Sequence, residues 1–170
     1  MAVTESVAGG MRAASRGATH LLVRKPQASA AEQYQVLSEL VRQAGVPVLV
    51  RGRVDLALAA GAAGVNLPEG DIPLAAARRL LGEDSLLGRS VHSAAAAAEA
   101  GRAGADFVVF GPIFETPTHP GPGVGLEGLR EAVRAAGSLP VLAIGGIDRE
   151  RGQACLAAGA AGYAAIRLFA

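Results

Sequence analysis

Apolar positions along the chain gather in short segments, at residues 19–24, 47–51, 64–67, 85–90, 107–110, 140–144 and 162–166. Segments of this length, mainly apolar instead of alternating, predict strands of a parallel sheet covered on its outer face. Between them, residues 31–44, 54–60, 73–81, 94–103, 126–136 and 149–158 are rich in Ala, Leu, Arg and Glu and predict helices. Residues 1–4 read as the stub of a first strand, followed by a helix of about three turns. Strands separated by helices imply a parallel sheet built from right-handed crossovers. Such units either curl into a barrel or form an open doubly wound sheet. The open sheet would want a Gly-rich dinucleotide loop after its first strand, and none is present. The expected fold is therefore α/β, a (β/α)8 TIM-type barrel with a shortened first unit and no C-terminal helix, since the sequence stops at Leu168-Phe169-Ala170.

A phrase that recurs supports repeated units: AAGAAGVNL, EAGRAGADFVVF and AAGAAGYAAI each read as a helix end, a glycine able to take the left-handed C-cap, and a strand. At 170 residues the chain is long enough for one domain, 1–170, and short for two. A barrel this lean should have mobile ends or a second copy covering its helix-side surface, as in a homodimer. A net charge of +1 gives no case for nucleic acid or an anionic membrane as partner. No apolar run reaches membrane-spanning or signal-peptide form. The single Cys155 lies in an Ala-rich helical stretch and reads as a buried small hydrophobe; with no partner for a disulfide, a cytoplasmic location is expected.

In a barrel of this kind the functional groups gather at strand C-termini. Gly145-Gly146, directly after VLAI, would let backbone N–H groups approach an anion, with Asp148 capping the helix behind and the amides of Ala165 and Ile166 nearby. The plainer alternative is a tight turn without a ligand. The loop GPIFETPTHPGPGVG, residues 111–125, is long and rich in Gly and Pro. Thr116, Thr118, His119 and Gly123 suit substrate or phosphate contacts, unless the loop is a surface excursion. Alternation places Gly88, Ser90 and His92 on one side of a strand, with two small residues below an imidazole that can exchange a proton near neutral pH. His92 could equally serve as a cap partner beside Ser93. Arg24, Arg51 and Arg53 end neighbouring strands and suit an anionic ligand, or else surface ion pairs with Glu69, Asp55 or Asp71. No His, Cys, Asp or Glu set has metal spacing, and Asp71 alone is a poor magnesium site.

Arg51-Gly52-Arg53-Val54-Asp55, Asn66-Leu67-Pro68, GRSVHS at 88–93, FGPIFET at 110–116 and AIGGI at 143–147 occur in this order. Together, from about Thr19 onward, they resemble the thiamine phosphate synthase superfamily, and within it the TenI-type thiazole tautomerases. The synthase branch couples a pyrimidine pyrophosphate to a thiazole phosphate using magnesium. Its pattern has Gln, Arg and Lys where this chain has Leu22, Arg24 and Pro26, and Asn-Asp where it has Arg51-Gly52. Gly52 thus replaces a magnesium-binding Asp, while Asp71 matches the second metal carboxylate. The resemblance therefore implies a cofactor-independent isomerase that aromatises a carboxythiazole phosphate tautomer, between thiazole synthase and thiamine phosphate synthase in thiamine biosynthesis. On that reading His92 is the catalytic acid–base. Arg24, Arg51, Ser90, Thr116, Thr118 and His119 bind substrate, and Gly123, Gly145, Gly146, Ala165 and Ile166 hold its phosphate. Two alternatives stand beside it: a magnesium-dependent thiamine phosphate synthase, and a catalytically silent barrel that binds a thiazole or thiamine phosphate.

Overall fold

The computed structural model describes residues 1–116 and 121–169. Among them eight strands alternate with seven helices: β1 (Ala2–Thr4), α1 (Val7–Ser15), β2 (Leu21–Val23), α2 (Ala30–Gln43), β3 (Val48–Arg51), α3 (Val54–Ala60), β4 (Gly64–Leu67), α4 (Leu74–Leu81), β5 (Leu86–Val91), α5 (Ala94–Arg102), β6 (Phe107–Phe110), α6 (Gly125–Ala136), β7 (Val141–Ile144), α7 (Arg149–Ala157) and β8 (Gly162–Ala164). This is the element order of the α/β class, (β/α)8 TIM type.

The chain groups into two compact units. The first comprises Met1–Leu67 and Asp71–Leu87, with Phe169; the second comprises Pro68–Gly70 and Gly88–Leu168. Within each unit strand order follows chain order, and the paired strands are parallel. The first unit's strands are apolar and buried: Leu21, Leu22 and Val23, then Val48, Leu49 and Val50, then Val65 and Leu67. In the second unit Val91, then the run Phe107–Phe110, play the same part. Burying such side chains contributes roughly 1.5–3 kcal/mol each, which is why short strands suffice.

Helix starts are set by side-chain caps. Ser6, Ser93 and Asp148 accept the N–H of the residue three positions on, and Ser29 with Glu32 forms a reciprocal capping box. The recurring αβ joint is a closed hydrogen-bonded motif. After Gly61, Gly104 and Gly159, all at positive φ, the N–H of Ala62, Ala105 and Ala160 bonds back to Ala57, Ala100 and Cys155 at 2.9–3.1 Å. That is the six-to-one bond of a Schellman motif, and only glycine enters it without strain. A fourth copy that the sequence phrase did not mark joins Ala18 to Ala13 after Gly17. Cys155 is fully buried and free, and burial pushes its thiol above the ordinary value. Among the described residues no helix is long and apolar enough to cross a membrane.

Candidate functional site

In the first unit the β2–β3 register pairs Val23 with Val50, so Arg24 and Arg51 follow as neighbours at the two strand ends. One strand further, Arg51 pairs with the buried Asn66. Arg24 is anchored by its own N–H, which donates to Thr4 O at 2.9 Å. Burial first, and the like charge of Arg24 second, push the Arg51 guanidinium below its ordinary value, against the pull of Asp71. Arg53 is different. Its Nε and Nη2 form a two-pronged pair with the Asp55 carboxylate at 2.8 and 2.5 Å, so it serves as a surface ion pair.

Magnesium takes several oxygen ligands. Among the described residues no three His, Cys, Asp or Glu side chains come together to hold a metal ion. Asp71 turns its Oδ1 to the Ile72 N–H at 2.7 Å, and the position after Arg51 is Gly52, with φ 66 and no side chain. Of these two positions only Asp71 brings a carboxylate, so a magnesium ion here would take most of its oxygens from elsewhere, and the residues fit it poorly.

In the second unit Ser90 is buried at the end of β5, and His92 lies just past the strand with its side chain 56% exposed. The imidazole Nδ1 is 2.5 Å from Gly111 O. A carbonyl can only accept, so Nδ1 carries the hydrogen. Nε2 then faces Glu69 Oε2 at 3.9 Å, a charge pair only when the ring is protonated. Arg89, buried within β5, donates from Nη1 to Pro68 O at 2.5 Å and to Glu69 O at 3.3 Å, fixing the segment that carries Glu69. Neither Arg89 nor Glu69 stood out as a site residue in the sequence. The one available signal was a charged residue inside an otherwise apolar strand, which requires a partner.

The glycines proposed for phosphate all pack on one segment. A Cβ at Gly145 would lie 2.6 Å from Pro112 Cβ, one at Gly146 2.6 Å from Glu115 O, and one at Gly123 2.1 Å from Ile113 O. Hydrogen bonds from Ile113 N to Ile144 O and from Phe114 N to Gly145 O, at 2.8 and 3.1 Å, hold that segment in place. Arg151 closes the turn, donating to Gly146 O at 2.9 Å with its guanidinium 4.9 Å from the Phe114 ring centroid. The glycines are therefore required by close backbone approach. Their own N–H groups nonetheless donate to no acceptor among the described residues, and Asp148 caps α7 just behind them. Ala165 is buried one step beyond the Ile144–Ala164 pair, whereas Ile166 is half-exposed. Thr116 is part-buried, and Thr118 and His119 lie outside the described residues.

The arrangement offers two kinds of chemistry: a guanidinium pair in one unit, and a proton-carrying imidazole with unspent backbone donors in the other. Comparison with known proteins decides which family uses it. The family described as thiamine monophosphate synthase matches residues 3–169. A thiamine-phosphate synthase of Chloroflexus aurantiacus is 44% identical over 155 residues, covering 88% of this chain and 71% of that protein. One from Roseiflexus is 41% identical over 177 residues, covering 96% and 75%. Among solved structures, thiamine phosphate pyrophosphorylase from Pyrococcus furiosus superposes with a TM-score of 0.86 at 33% identity, over 97% of this chain and 83% of that one.

These relatives point to an enzyme, and they correct two expectations. Closeness to the TenI-type branch is not supported, because the relatives carry the synthase name. The isomerase reading, a thiazole tautomerase, falls for the same reason: synthases are transferases. By the extent and identity of these matches, the chain belongs to the thiamine monophosphate synthase family.

Proposed function

We propose that the chain is a thiamine-phosphate synthase, a transferase that joins a pyrimidine pyrophosphate to a thiazole phosphate. The observation carrying this reading is likeness along nearly the whole chain to synthases at 44% and 41% identity. In the reaction the carbon–oxygen bond to pyrophosphate breaks with its electron pair on the departing oxygen. The thiazole nitrogen supplies the pair for the new carbon–nitrogen bond.

The roles follow from chemistry already described. Gly145 and Gly146, with the backbone of Gly123, Ala165 and Ile166, hold the thiazole phosphate, since unspent N–H groups in a strand-to-helix turn favour an anion. Ser90, Thr116, Thr118 and His119 add side-chain donors to that substrate. His92, whose Nδ1 is committed to Gly111, offers Nε2 as the group that holds or releases a proton. Arg24 and Arg51 take the pyrophosphate, whose oxygens match a guanidinium fork. The reading carries with it a cytoplasmic setting, in which Cys155 stays reduced, and association as a homodimer. Incubating the protein with both substrates and following the products by phosphorus NMR tests it. Thiamine phosphate and pyrophosphate in equal amounts support the proposal. Ligand binding without product favours a silent binding protein.

A further inference from the structure

Resting on that reading, we propose that Arg24 and Arg51 form a diphosphate site that works without a divalent cation. Arg24 and Arg51 are neighbours at the ends of β2 and β3, one register step beyond the Val23–Val50 pair, close enough for the charge of one to act on the other. Like charges brought together at a part-buried position are costly to the empty protein, and a multivalent anion relieves that cost. Asp71 pulls on Arg51 from one side, and Glu5 follows Thr4 beside Arg24 on the other, so a bound anion would compete with these carboxylates for the pair. Arg53, the third cation of the cluster, is held by Asp55 and is not needed for the site.

The same place is poorly made for a metal. Gly52 brings no carboxylate, Asp71 is engaged by the Ile72 amide, and a divalent ion would meet two guanidinium groups. What magnesium supplies to a departing pyrophosphate is charge stabilisation, and paired arginines supply the same in fork geometry. As the carbon–oxygen bond breaks, the pair stays on the pyrophosphate oxygen. The N–H donors of Arg24 and Arg51 bond to it, and no proton needs to move.

Calorimetry with inorganic pyrophosphate tests this directly, in EDTA and again in excess magnesium. Pyrophosphate should bind in EDTA, with an affinity that magnesium raises by less than about threefold. Arg51→Gln should weaken it by roughly tenfold to a hundredfold, the worth of a charge-assisted hydrogen bond. Arg51→Lys, which keeps the charge and loses the fork, should fall between the two. An unchanged thermal transition would show each variant folded. Binding that appears only with magnesium, or that Arg51→Gln leaves intact, overturns the inference. The reading it rests on fails separately. Coupling with an absolute magnesium requirement sinks the cation-free site and keeps the synthase, whereas metal-free binding without coupling keeps the site and sinks the synthase.

Discussion

His92 Nδ1 is 2.5 Å from the carbonyl oxygen of Gly111, joining the end of β5 to the end of β6. Because the carbonyl accepts, the neutral ring should carry its hydrogen on Nδ1, which nitrogen NMR reads directly. A neutral ring protonated on Nε2 would contradict the geometry. His92→Asn, whose amide can reach the same carbonyl, should be more stable to urea than His92→Ala by about 1 kcal/mol.

Gly145→Ala and Gly146→Ala should each destabilise the protein by about 2 kcal/mol or more. Both glycines have positive φ, 103 and 64, and an added Cβ would meet atoms at 2.6 Å. Gly17→Ala supplies the control. Its φ is 89, but nothing lies within 4 Å of the added carbon, so it should cost only about 1 kcal/mol. Equal costs at all three positions would mean that the 112–115 segment yields and the close packing is not required.

The Arg53–Asp55 pair predicts a small acid-dependent term. The hydrogen bonds from Arg53 hold the Asp55 carboxyl below its ordinary value of 3.8, so the unfolded chain takes up the proton first. The contribution is therefore full above that value and fades as pH falls through the lower folded one. Because Asp55 is well exposed and Arg53 partly so, it should amount to less than about 1 kcal/mol. Arg53→Ala should flatten the acid limb of a stability-versus-pH curve below about pH 4, and leave pyrophosphate binding near wild type. A large loss of binding would bring Arg53 into the anion site.

Cys155 is fully buried, with its thiol pushed up by burial. A thiol reagent such as dithionitrobenzoate should leave it unmodified in the native protein and react once urea unfolds the chain. Fast modification under native conditions would contradict its place in the core.

Much of this fold is legible as a sequence because the strands are short, apolar and separated by cappable helices. The run at 107–110 coincides with β6, and that at 64–67 with β4. Strand ends were harder, because pairing decides them. The run at 19–24 contracts to Leu21–Val23, while the one at 85–90 extends to Val91, which pairs with Phe110. At the sites, the Arg24–Arg51 neighbourhood and the Gly145-Gly146 turn follow from strand order. The Arg89 bonds to Pro68 and Glu69 do not, because they join residues about twenty positions apart with no periodic signal. The branch within the family was misread for a related reason. Leu22, Pro26 and Gly52 depart from the synthase pattern at a few positions, whereas whole-chain likeness weighs every residue and sides with synthases.

The most direct test of the account remains the coupling reaction itself. Purified protein is given the pyrimidine pyrophosphate and the thiazole phosphate together, and each alone, and thiamine phosphate is measured by mass spectrometry. Formation only with both substrates, matched by an equal release of pyrophosphate, is the predicted result. No thiamine phosphate, from protein that still binds both substrates, with and without magnesium, would contradict it.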